Sequence, residues 1–215
     1  MDAIRKELLG FLMVLALFAL ACGLLEEDAT EVTYEEQIPF SFTVDADEVC
    51  PDDIDCEEDA QPAPEDQELE PIEVADDIDV VEETGNEELR EYAGHFESIT
   101  VTEIEYDVSD NSLTFDLPQT MVYVDEPGSE SREDDGVVEL ATIPSIPDGE
   151  DEEGTAEVTE ANLEPASDLF QSLDFAVIAY GEPKIKEGQD LPPSGSAEVD
   201  LTIVVEFVAN PQTID

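Results

Sequence analysis

Positive charge is nearly missing from this chain: six Lys and Arg stand against 60 Asp and Glu, a formal charge of −54. Such a surface has too few bases to displace counterions from phosphates, so a nucleic-acid partner is excluded, and an anionic membrane face repels it for the same reason. Histidine occurs once, at His95, and tryptophan is absent. Hydrolysis by a nucleophile needs a positioned base, and a lone His between Gly94 and Phe96 at the end of an expected helix suits a charge–dipole partner better than a catalyst. The chain has no Gly-x-Ser-x-Gly elbow and no Gly-rich phosphate loop. Paired carboxylates of the kind used in glycoside hydrolysis carry no weight among 60 acids, where coincidence guarantees them. The expectation is a non-enzymatic protein.

What the chain does have begins at its start. Arg5 and Lys6 precede an apolar run, Leu8 to Ala21, that ends in small residues before Cys22, which is the layout of a secretory signal. The stretch Leu17-Phe18-Ala19-Leu20-Ala21-Cys22 resembles the lipobox of bacterial lipoproteins, with Ala19 where that family usually places Leu. The resemblance implies that residues 1–21 are a signal peptide and that Cys22 becomes the lipidated, palmitate-bearing first residue of the mature chain. It also implies a cell-envelope protein, anchored in the outer membrane by its N-terminal lipid, with Gly23 compatible with forwarding there. Counted through Leu25 the apolar run reaches the length of a membrane span, so an uncleaved anchor and a plain cleaved signal stand as alternatives.

Removing Asp2, Glu7, Arg5 and Lys6 with the signal leaves the charge at −54. Spread over a compact mature chain exposing on the order of 9,000 Å², this is about one net charge per 170 Å², a mean spacing of about 13 Å. That spacing exceeds the Debye length of about 8 Å at physiological salt and lies well inside the 30 Å of 0.01 M salt. The first reading of the acid excess is therefore adaptation to a salty habitat, as in a halophilic bacterium. The second is a calcium-binding adhesion or matrix module, since Ca²⁺ takes six to eight oxygen ligands. No EF-hand loop surrounds Gly136, Gly149 or Gly154. The best candidate ligand set for divalent cations is Asp45, Asp47, Asp52, Asp53, Asp55 and Glu57, in a loop that Cys50 and Cys56 would pin if they form a disulfide, as an exported compartment favours. Zinc is disfavoured, because Cys50, Cys56 and His95 supply three ligands at unsuitable spacing. Beyond possible Ca²⁺, no cofactor is expected.

Period-two alternation dominates the rest. Ile38, Phe40, Phe42 and Val44 read as a strand, and Ala197, Val199, Leu201, Ile203, Val205 and Phe207 as the clearest one. Ile99 and Val101 fall out of phase with Ile104, Tyr106 and Val108, which predicts a β-bulge near Thr102 or Glu103. With Leu113, Phe115 and Leu117 beyond a turn at Ser109–Ser112, the stretch Ile99–Pro118 reads as a hairpin. Phe175–Tyr180 suits a central strand buried on both faces. Met121–Val124 and Val137–Ile146 are further extended segments, and short helices are expected over Asn86–Tyr92 and Pro165–Leu173. Asp45–Glu91 is acid-rich and carries four prolines, so most of it is expected as loop, with Ile72, Val74, Ile78 and Val80 in short edge strands.

The sum is an all-β chain: an antiparallel β-sandwich with one or two short helices, long acidic loops and an N-terminal signal or anchor segment. Residues 1–21 are the signal, 22–37 an acidic tether and 38–215 the sandwich, with an acidic insert at 45–85. It loosely resembles the β-sandwich domains of exported bacterial lipoproteins. The expected role is a structural or binding module at the envelope, held to the membrane by its N-terminus and meeting a protein or other envelope component.

Overall fold

A computed structural model describes residues 31–51 and 60–211. The signal segment, Cys22, the first residues of the tether, Asp52, Asp53, Asp55, Cys56 and Glu57 lie outside the described residues.

The chain folds as an antiparallel sandwich of two sheets. The first has strand order β1-β13-β5-β8, from Val32–Asp45 (β1), Ser196–Ala209 (β13), Phe96–Ser109 (β5) and Glu152–Thr155 (β8). The second has order β4-β10-β6-β7-β9, from Ile72–Asp79 (β4), Asp174–Gly181 (β10), Thr120–Asp125 (β6), Val138–Ile143 (β7) and Glu157–Val158 (β9). Two-residue strands pair Gln61–Pro62 (β2) with Asp190–Leu191 (β12), and Gln67–Glu68 (β3) with Lys184–Ile185 (β11).

Alternation along the strands explains the layering. In β1 the residues Ile38, Phe40, Phe42 and Val44 are buried while Gln37, Pro39, Ser41 and Thr43 face solvent. β13 repeats the pattern with Ala197, Val199, Leu201, Ile203, Val205 and Phe207, and it lies between β1 and β5. From the second sheet, Val122, Val124, Phe175, Val177 and Ala179 meet them in one continuous core. β5 keeps its apolar side chains on that core through a bulge: Val204 opposes Glu103 and Val205 opposes Val101, so Thr102 is the extra residue, where the phase change in the sequence predicts it. Val32–Asp45 begins six residues before Ile38 because Val32, Tyr34 and Glu36 continue the same phase opposite Ala209, Phe207 and Val205.

Three expectations are corrected. Leu113, Phe115 and Leu117 are buried, but they form no hairpin with β5; Leu117 bridges Ile146, and Thr114 N–H donates to the Ser194 carbonyl at 3.0 Å. The reason is local. Asp110 sits at φ 49° and turns the chain out of the sheet, and buried Asn111 then ties the crossing to the 147–151 loop, donating to the carbonyls of Pro147 (3.3 Å) and Glu150 (2.8 Å). Second, Ile72–Asp79 is one continuous edge strand and Val80 opens a helix, Val80–Thr84 (α1), where Asp79 caps the Glu82 N–H at 3.0 Å and Gly85 closes the other end at φ 70°. Third, Asn86 caps a 3-10 turn at Glu87–Tyr92 and not an α-helix. The expected helix near Pro165 is present as Leu163–Phe170 (α2), with Pro165 in its first turn; it closes one end of the sandwich, Phe170 packing edge-on against Phe175 with ring centres 4.4 Å apart.

Candidate functional site

The residues singled out from the sequence are not gathered into a site by the described part of the fold. Asp45 ends β1 and accepts the Asp47 N–H at 2.9 Å, and its carbonyl accepts the Glu48 N–H at 3.1 Å, so its carboxylate shapes a turn. Four of its five expected partners, at 52, 53, 55 and 57, lie outside the described residues. Among the described residues no group of three or more His, Cys, Asp or Glu is placed to hold a metal ion. Cys50 is half-buried before Pro51, and its expected partner Cys56 is outside the described residues. His95 is exposed, just past the 3-10 turn. No helix among the described residues is long and apolar enough to cross a membrane.

The built site lies elsewhere, on the outer face of the second sheet, and it follows from register. In β10, Tyr180 stands between Glu73 of β4 and Met121 of β6, Ile178 between Ala75 and Tyr123, and Ala176 between Asp77 and Asp125. This face points away from the core, yet Ala176 and Ile178 are 0% exposed and Tyr180 is 5% exposed. The cover is the 126–137 loop between β6 and β7, folded back as a strap. Gly128 N–H donates to Asp77 Oδ1 at 2.7 Å, Ser129 Oγ to Asp125 Oδ2 at 2.5 Å, and both Ser131 Oγ (3.0 Å) and Arg132 N–H (2.8 Å) to Glu73 Oε1. At the end of this line the Arg132 guanidinium lies over the Tyr180 ring, its Cζ 3.5 Å from the ring centre, with Glu182 4.0 Å away. Tyr180 Oη donates to Glu182 Oε1 at 2.7 Å, fixing that carboxylate beside the guanidinium.

Electrostatics agree with the geometry. Partial burial works against the charge of Arg132, but the Tyr123 side chain beside it, with Tyr180 and Glu182, outweighs that, and its pKa is raised. Asp134 organises the strap from within: it shares the one Ser129 hydroxyl proton with Asp125, at 3.0 Å, and accepts from the N–H groups of Ser131 and Glu130, which lowers its pKa. The arrangement offers the Arg132 cation an aromatic face below and carboxylates at the rim. No sequence motif announces it. A single Arg in the acidic stretch Glu130-Ser131-Arg132-Glu133-Asp134-Asp135 was the available signal, and Tyr123 and Tyr180 fall in the outward phase of their strands.

The first sheet shows the opposite surface. Asp200 of β13 stands directly opposite Asp107 of β5, and Asp107 opposite Glu153 of β8, so three carboxylates cross the exposed face in one row. Ser41 Oγ of β1 donates to Asp200 Oδ1 at 2.5 Å and extends the row to the sheet edge. A shallow groove of about 610 Å³ runs along it, with Tyr106 packed beneath Gly154.

Three tyrosines give the fold an alkaline limit. Burial pushes Tyr34 up to about 12, with Tyr92 and Glu88 beside it adding to the shift. Burial and the Glu152 carboxylate likewise raise Tyr106, and the hydrogen bond to Glu182 raises Tyr180. A folded pKa above the unfolded value of about 10 stabilises the folded state fully below pH 10, and that contribution is lost as pH rises towards 12. Absorbance at 295 nm is expected to show these rings ionising above pH 10 together with loss of the fold; ionisation of all five at pH 10 with the fold intact would contradict the assignment.

The sequence matches no family model, and no curated protein matches it. Solved structures similar to it include that of Desmodium yellow mottle tymovirus, 12% identical over 83% of this chain and 89% of that one, with a TM-score of 0.29. A decameric BFDV capsid protein is 10% identical over 82% and 98% of the two chains, at 0.37. The infectious bursal disease virus Gx strain structure is 11% identical over 83% of this chain and 36% of that chain, at 0.27. At TM-scores this low the likeness assigns neither fold nor role, and the sandwich stands on its own strand order and core.

Proposed function

We propose that this chain is a lipid-anchored, non-enzymatic binding module of a bacterial cell envelope, held in the outer membrane through Cys22 and adapted to salt. The observation that carries the reading is the apolar run from Leu8 to Ala21 behind Arg5 and Lys6 that ends at Cys22, and the start of β1 sets the reach of the tether. The strand β1 opens at Val32, ten residues after Cys22, so a fully extended tether would hold the sandwich within about 35 Å of the lipid. The acid-covered sandwich is repelled from anionic headgroups and stands off the bilayer, presenting its outer faces to whatever it binds.

The test is metabolic labelling of the full chain with an alkyne fatty acid in a bacterial host. Cys22→Ser is expected to abolish the label and move the protein from the membrane fraction to the soluble one. A Cys22→Ser chain that stays membrane-bound would instead make Leu8–Leu25 an uncleaved anchor, and a wild-type chain without label and outside the membrane would make it a secreted protein.

A further inference from the structure

We propose that the outer face of the second sheet is an arginine-recognition site, occupied in this structure by the chain's own Arg132, and that its partner is a basic polypeptide segment whose arginine replaces Arg132 when the strap lifts. The inference rests on the reading of this chain as a binding module and is independent of the lipid anchor.

Four observations carry it. First, the site has the parts of a guanidinium receptor: the Tyr180 ring lies under the cation at 3.5 Å, Tyr123 stands on the same face opposite Ile178, and Glu182 stands at the rim, itself held by Tyr180 Oη. A planar guanidinium uses both the stacking face and the rim carboxylate, whereas an ammonium uses them poorly. Second, the occupant is scarce. The described residues carry only Arg90, Arg132, Lys184 and Lys186 as bases, and Arg132 is the one seated on an aromatic ring.

Third, the occupant sits on a segment that is itself dense in acids and is held to the sheet through hydrogen bonds that Glu73, Asp77 and Asp125 accept from it. The strap carries Glu126, Glu130, Glu133, Asp134 and Asp135, and the sheet beneath it presents Glu73, Asp77 and Asp125. Gly128 and Gly136, at φ 87° and 112°, stand near its two ends and supply the turns about which it can swing. Fourth, what lies under the strap is apolar. Ile178 and Ala176 at 0% exposure form a patch that a chain of charge −54 otherwise keeps for its core, and a displaced strap would offer it to the aliphatic stems flanking an incoming arginine. The long-range field of the acidic surface brings a basic segment to the face, and the aromatic stack selects arginine from it.

The experiment titrates the full-length chain in detergent with an arginine–glycine repeat peptide of four arginines, and with its lysine counterpart, at 150 mM NaCl. With no tryptophan present the emission comes from the five tyrosines, and the part of its change that Tyr180→Leu removes reports on Tyr180. Arg132→Ala, which empties the site, is expected to bind the arginine peptide about tenfold more tightly than the wild type, a ratio in the range of one stacked, carboxylate-flanked guanidinium. The lysine peptide is expected to show no such gain, and Arg132→Ala/Tyr180→Leu is expected to lose it. Equal affinity of wild type and Arg132→Ala, or equal gains for both peptides, would overturn the proposal and leave undirected attraction to an acidic surface. Should Arg132→Ala unfold, N-ethylguanidinium at millimolar concentration is expected to restore its melting transition where ethylammonium does not; restoration by both, or by neither, would equally overturn it. The fatty-acid label on Cys22 is read separately, so loss of the anchor and loss of arginine recognition give different results.

Discussion

Raising NaCl from 10 mM to 1 M is expected to raise the melting midpoint of this protein by roughly 10 to 20 °C. The size follows from the sheets. Asp107 faces Asp200 and Glu153, and Glu35 faces Glu206, each pair directly across adjacent strands. Like charges about 5 Å apart repel by about 0.8 kcal/mol in water, and these three pairs are the closest part of a field that extends over the whole surface. At 10 mM salt the Debye length of about 30 Å spans the molecule, while at 1 M it is about 3 Å and even the nearest pairs are screened. Recovering on the order of 5 kcal/mol shifts the midpoint of a chain this long by 2 to 4 °C per kcal/mol. CaCl₂ at matched ionic strength separates the two readings of the acidity. Equal shifts assign it to solvation in salt, whereas a saturable shift with calcium alone would assign the loop of Asp45, Asp47 and the acids from Asp52 to Glu57 to metal binding. A midpoint that ignores NaCl altogether would remove self-repulsion as a force on this fold.

Gly195→Ala is expected to cost about 3 to 5 kcal/mol, more than any surface substitution and in the range of a large core truncation. Gly195 leads into β13 at φ 92°, and a Cβ there would stand 2.0 Å from the Ser112 carbonyl oxygen and 2.5 Å from its carbon. Both are backbone atoms and cannot rotate aside. The approach is close because three segments of the chain meet there: Ser112 N–H donates to the Ser196 carbonyl at 2.8 Å, Ser196 N–H to Ser112 Oγ at 3.0 Å, and Ala46 N–H to the Gly195 carbonyl at 3.0 Å. Gly188 provides the control. Its φ of 91° is almost the same, but nothing lies within 4 Å of its added Cβ, so Gly188→Ala carries only the backbone strain of about 1 to 2 kcal/mol. Urea midpoints of the two variants measure the clash by difference, and equal losses would mean that the crossing at Ser112 moves aside without cost.

How much was legible in the sequence depended on whether a residue's task was local. β13 and the second half of β1 were readable because alternation needs only neighbours along the chain, and the bulge at Thr102 was readable because a phase slip is itself a local pattern. Phe175–Tyr180 was recognisable as central because residues covered on both faces leave no polar phase. The Ile99–Pro118 hairpin failed since Leu113, Phe115 and Leu117 alternate as a strand does, while their partners are Ser194 and Ile146, far along the chain. The arginine site was invisible for the same reason. Tyr180, Tyr123, Glu73 and Arg132 come from three strands and a loop, and only the pairing of β10 with β4 and β6 sets them side by side. The abundance of acids hid it further, because carboxylates at every turn gave no reason to prefer Glu73 or Glu182.

The pairing of Val32 with Ala209 joins the two ends of the sandwich, and β13 lies between β1 and β5. The first sheet therefore cannot close until its last strand has arrived, and the folding nucleus must wait for contacts of very long sequence separation, a topology that folds slowly. A chain exported N-terminus first, as the proposed anchor requires, would emerge with β1 exposed and without its partner through the whole of translocation. In that interval the carboxylates on Glu35 and Glu36, and Pro39 with no N–H to offer, would keep the waiting strand from pairing with another copy. The same acids that strain the finished sandwich at low salt thus act as its chaperone before it exists.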